Sequence, residues 1–133
     1  MRRFFRYRVG RRGAALLVFA WLDAVIAYSL TDSSVRAQTA TLPVYRVIVS
    51  LAPLLTWAIL WATVGAACFV SAFLKDDRWG FAAAISVKVV WAAGFAAAWV
   101  VYGADRAWIA AATWLVLALL VLDIAGWREV TRE

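Results

Sequence analysis

Four long apolar runs control what this chain can fold into. They cover residues 13–30, 47–74, 79–102 and 107–127, and the only charged side chains inside them are Asp23, Lys88 and Asp123. A bilayer core about 30 Å thick is crossed by roughly 20 apolar residues in a helix, so every run is long enough. Lipid leaves no water to satisfy backbone groups, which restricts spanning segments to helices and closed barrels. The runs are rich in Ala and Leu and lack period-two alternation, which predicts helices. The expected fold is all-α: an integral membrane four-helix bundle forming a single domain over 1–133. Its spans are expected at about 13–30, 50–74, 79–102 and 107–127. The second run exceeds what a span needs. Proline is least costly near a helix start, so the membrane entry is placed near Pro53, with 47–52 as an interfacial lead-in.

Composition narrows the chemistry. Hydrophobic residues make up 66% of the 133 and charged residues 17%, against about 45–50% and about 25% in soluble domains. Most soluble enzymes are thereby excluded. There is no His and one Cys, Cys68, which removes His-based catalysis, His/Cys metal centres and internal disulfides. Cys68 reads as a small apolar core residue. Inside the runs, Ser71, Ser86 and Thr113 are expected to bond back to their own helix carbonyls. That polar inventory is too thin for an intramembrane hydrolase, so no enzymatic activity, metal or cofactor is expected.

The basic residues set an orientation. Arg2, Arg3, Arg6, Arg8, Arg11 and Arg12 precede the first run; Lys75 and Arg78 lie in the loop after the second; Arg128 and Arg132 follow the fourth. These ten face only Arg36, Arg46 and Arg106 on the other side. The positive-inside rule places both termini and the 75–78 loop in the cytoplasm. The 31–46 loop and the turn near 103–106 then face outward. The reading is a multi-pass protein of the cell's inner (cytoplasmic) membrane, N-in and C-in. The six tail arginines are expected to contact anionic headgroups of the inner leaflet. The tail abuts a span, so nucleic acid is not expected as a partner. Trp79 and Trp127 at the inner ends, and Tyr28, Tyr45, Tyr102 and Trp108 at the outer ends, suit the headgroup region. A basic start, an apolar run and Val35-Arg36-Ala37 also resemble a cleaved signal peptide; the length of the run and Asp23 favour a retained span.

The three intramembrane charges are the candidate site. A charge at a helix centre costs about 2.5–3.5 kcal/mol on insertion scales and usually finds a partner inside the bundle. At about 1.5 Å of rise per residue, Lys88 lies about 13 Å and Asp23 about 15 Å from the cytoplasmic end, and Asp123 about 6 Å. The expectation is a buried Asp23–Lys88 ion pair between the first and third spans, with Asp123 as a second acceptor. The pair reads first as a device that fixes helix register and second as a proton or substrate site. Small residues flank it at helical spacing: Ala20, Ala24 and Ala27 around Asp23, and Ala84 and Ala92 around Lys88. Such residues let membrane helices approach closely. Trp57, Trp61 and Trp91 form a possible aromatic pocket for cations, with bulky packing as the plainer reading.

Two resemblances follow from particular stretches. The Arg-rich tail, the Ala/Trp/Val-rich spans, Trp79-Gly80-Phe81-Ala82-Ala83-Ala84 and Ile124-Ala125-Gly126-Trp127-Arg128-Glu129 resemble small four-span, holin-like proteins of actinobacterial phages and prophages. That resemblance implies self-association in the inner membrane, timed permeabilisation before lysis, and no catalytic residues. Trp21-Leu22-Asp23-Ala24-Val25-Ile26-Ala27 is similar to the first helix of small multidrug-resistance transporters, whose membrane acid exchanges protons for cationic drugs in an antiparallel dimer. The similarity ends after that helix: Asp replaces the usual Glu, the first loop is long, the charge bias is one-sided and Lys88 competes for the acid. The expected function is therefore a non-enzymatic phage-type membrane protein, holin-like or a lysis accessory, with a homo-oligomer or a lysis protein as partner. The alternatives are a proton-coupled transporter using Asp23 and a membrane anchor or regulatory subunit.

Overall fold

The computed structural model describes residues 9–127. Within them lie six α-helices and one 3-10 turn, and no strand among the described residues. The elements are α1 (Arg11–Ser29), α2 (Ser33–Thr41), the 3-10 turn Pro43–Tyr45, α3 (Arg46–Leu51), α4 (Leu54–Ser71), α5 (Arg78–Tyr102) and α6 (Ala107–Ala125). Four of them, α1, α4, α5 and α6, are long and apolar enough to cross a membrane. Pro53 caps α4, and the preceding Ala52 is extended, as the ring of a following proline demands. The chain thus breaks between α3 and α4, and residues 46–51 form a separate short helix at the mouth of the bundle.

Burial follows helical spacing even though composition does not. In α4 the buried residues are Leu54, Trp57, Ala58, Trp61, Val64, Gly65, Cys68 and Ser71. In α5 they are Gly80, Phe81, Ala84, Val87, Lys88, Trp91, Ala92, Gly94, Phe95 and Ala98. Both sets recur at i, i+3, i+4 and i+7, the spacing of one helix face. The outward faces are apolar as well, with Trp21 73%, Trp79 75% and Val100 74% exposed.

Helix α1 packs on α4, α4 on α5 and α5 on α6, while α1 barely approaches α5 or α6. The start of α1 meets the end of α4, where Gly13 lies against the backbone of Ala72. A Cβ at Gly13 would stand 2.6 Å from the Ala72 carbonyl oxygen. Backbone cannot move aside as a side chain does, so Gly13→Ala must push α1 off α4. Overpacking of this kind costs about 1–3 kcal/mol, and a matching fall in stability is expected in detergent unfolding.

The 31–46 segment is not the plain loop expected. Asp32 accepts hydrogen bonds from the backbone N–H groups of Ser34 and Val35, the N-cap arrangement that starts a helix. Arg36 donates to the Leu30 and Thr31 carbonyls at the end of α1. A Ser/Thr-rich composition hid these two local bonds. The Ser34 hydroxyl and the two amides hold the Asp32 carboxyl below its ordinary pKa. Because the folded value is lowered, the cap's contribution is full above the unfolded value and is lost as pH falls through the folded one. Asp32→Ala at neutral pH, or acidification of the native protein below the ordinary carboxylate range, should weaken the helical NMR shifts of residues 33–36. Unchanged shifts in both would contradict this capping role.

At the other end of α5, Gly103 takes a left-handed conformation, φ 59°. It ends the helix as glycine characteristically does, and the N–H of Ala104 reaches back to the Ala98 carbonyl at 3.2 Å.

Candidate functional site

Lys88 Nζ lies 2.8 Å from Asp23 Oδ1, and both side chains are fully buried. Helices α1 and α5 otherwise have little backbone contact, so the long lysine stem bridges a diagonal of the bundle. Close packing of α1 on α4 positions the acid: a Cβ at Gly65 would sit 3.2 Å from the Ala20 carbonyl and 3.4 Å from Asp23 Cβ. Two aromatic rings flank the ammonium. The Phe19 centroid is 5.6 Å from Nζ and the Trp61 centroid 5.3 Å, both within cation–π range. Cys68 Sγ is 3.5 Å from the Gly80 carbonyl oxygen and 4.0 Å from Asp23 Oδ2, so the thiol sits beside the second carboxylate oxygen.

Trp57, Trp61 and Trp91 are all buried, and of the three Trp61 is the one against the Lys88 ammonium. Trp91 meets Trp57 at 6.0 Å, Trp61 at 5.3 Å, Trp114 at 5.7 Å, Phe95 at 5.7 Å and Tyr45 at 5.9 Å between ring centroids. Most of these contacts are edge-to-face, the geometry that ring quadrupoles favour. The rings are packed against one another and fill the space between α4, α5 and α6. Trp57 Nε1 donates to the Ile48 carbonyl at 3.0 Å, which ties α3 over this end of the core. Tyr45 packs there too, and burial pushes its hydroxyl above the ordinary pKa.

Asp123 is not part of the pair. It is exposed, and its Oδ2 accepts from Trp127 Nε1 at 3.3 Å. The buried face of α6 carries Ala118, Val121 and Ile124, and two residues beyond Val121 the helix has turned by about 200°. The expected contact with Lys88 fails on that rotation.

The tail arginines divide. Arg2, Arg3, Arg6 and Arg8 lie outside the described residues. Arg11 is exposed, with its guanidinium 5.8 Å from the Trp127 ring centroid. Arg12 is engaged inside the protein and is no free headgroup contact. It pairs with Asp77 at 2.7 Å, donates to the Trp127 carbonyl at 3.2 Å and covers the Phe81 ring at 5.1 Å. This clasp joins the start of α1, the α4–α5 turn and the end of α6. The 75–78 turn is correspondingly split: Arg78 pairs with Asp76 in solvent at 2.9 Å, while Asp77 turns to Arg12.

Sequence reasoning missed Phe19, the clasp, and Trp114, Tyr45 and Phe95 as partners of Trp91. Phe19 stands one turn before Asp23, a spacing that would have found it. The clasp joins residues 65 apart in sequence, with no local signal. Compared with family models, curated proteins and solved structures, the chain matches none.

Proposed function

We propose that this is a multi-pass protein of the cytoplasmic membrane, with both termini inside, that acts without catalysis. Its body self-associates in a holin-like manner to permeabilise the membrane or to assist lysis. The observation that carries the reading is where the molecule spends its polar and apolar surface. The intramembrane acid and base are used on each other, the aromatic core is closed on itself, and large apolar side chains cover the outside of all four long helices. A surface that apolar belongs in lipid or against another copy. Helix α6 has the highest hydropathy of the four, 2.2, and the smallest buried share, 22%, which supports α6 as the helix through which copies would meet in this reading. Lys88 seated on Asp23 favours this reading over proton-coupled exchange, which needs a free acid.

The test is induction in a bacterium beside a co-expressed endolysin. Collapse of the membrane potential and timed release of the endolysin are expected. Unchanged growth and potential at high expression would refute the reading. So would protons released by a lipophilic cation and abolished by Asp23→Asn, the behaviour of a transporter. Stoichiometric co-purification with one other protein, without activity alone, would mark an anchoring subunit instead. Tags at the two termini should both be reachable only from the cytoplasm, and a tag in 33–41 only from outside.

A further inference from the structure

We infer that Asp23, Phe19 and Trp61 form a binding site for a primary ammonium group, and that Lys88 is its tethered occupant. The argument is a match of donors to partners. A protonated lysine carries three N–H donors and no acceptor. Around Nζ the structure supplies one carboxylate oxygen at 2.8 Å and two ring faces at 5.6 and 5.3 Å. Nothing else among the described residues bonds to Nζ, and the group is fully buried. One carboxylate oxygen and two ring faces thus lie around the buried ammonium. The site suits a primary ammonium better than a quaternary one, which has no N–H for the carboxylate. That selectivity differs from the cation pocket expected of Trp57, Trp61 and Trp91, whose rings are packed against one another instead. The second carboxylate oxygen faces the Cys68 thiol, which leaves Oδ1 for the ammonium. The inference concerns the site alone and stands whether or not copies of the chain self-associate.

Truncation exposes the site. Lys88→Ala removes a stem and head equivalent to n-propylammonium, which is the probe to use, at neutral pH and in detergent or nanodiscs. Thermal unfolding of Lys88→Ala should shift upward saturably with n-propylammonium. Tetramethylammonium should bind about tenfold more weakly or worse, a gap of about 1.4 kcal/mol, and 1-propanol should give no saturable shift. Wild-type protein, already occupied, should not respond. Lys88→Ala combined with Asp23→Asn should lose the response. If Lys88→Ala does not fold, its refolding yield is read instead: n-propylammonium should restore it and 1-propanol should not. The inference is overturned if n-propylammonium neither stabilises nor rescues Lys88→Ala. It is equally overturned if the double variant or the wild type responds as strongly, or if tetramethylammonium binds as well as the primary amine.

Discussion

Lys88→Met should destabilise the folded bundle by about 3–5 kcal/mol, the usual cost of leaving one member of a buried pair alone. The methionine fills much of the stem's volume, so the loss reports charge rather than a cavity. Asp23→Asn alone should also destabilise, because it leaves the ammonium with two rings and no anion. The combined variant should be more stable than either single one, because removing both charges together spares the cost of a lone ion. Reversible unfolding in mixed detergent measures all four proteins. A combined variant no more stable than the worse single variant would mean that the two residues do not act on each other.

Trp91→Ala is expected to cost about 3–5 kcal/mol, the range for a buried aromatic removed from a close-packed core. Trp91 is the ring that the others share: it contacts Trp57, Trp61, Trp114, Phe95 and Tyr45. Its loss should therefore loosen the contacts of α5 with α4, with α6 and with the turn before α3. Trp99→Ala, at a half-exposed ring on the same helix, should cost far less. Equal losses at the two positions in the same unfolding assay would contradict the idea of a packed aromatic core.

The legible and illegible parts of this molecule divide along physical lines. The four long helices could be read from apolar run length together with the absence of period-two alternation, which separates helices from barrel strands. The break at Pro53 was legible for a similar reason, since proline constrains its own backbone and its neighbour's. Asp23 and Lys88 stood out because charge is rare in such a run, and equal depth along two helices was enough to draw them to one level. Rotation about a helix axis was not available from depth. Asp123 lies near enough in height, yet it points away from the core, and only the buried face of α6 reveals that. The usual guide to rotation, a polar face opposite an apolar one, is absent here because both faces are apolar. Helix α2 was hidden for a different reason: its start depends on one Asp32 cap, and its Ser/Thr content reads as loop. The Arg12–Asp77–Trp127 clasp depends on three chain segments meeting at one end, and nothing local announces it.

The most direct measurement is the Lys88–Asp23 contact itself, in lipid. Lys75 and Lys88 are the only lysines in the chain, so Lys75→Arg leaves a single side-chain ammonium to label. With lysine labelled at 15Nζ and aspartate at 13Cγ, solid-state NMR dipolar dephasing in a bilayer reads the distance between them. Strong dephasing of Lys88 that disappears in Asp23→Asn, together with protection of its ammonium from exchange with water, is the expected result. A Lys88 signal that shows no dephasing, or that exchanges freely with water, would contradict an ion pair sealed inside the helical bundle.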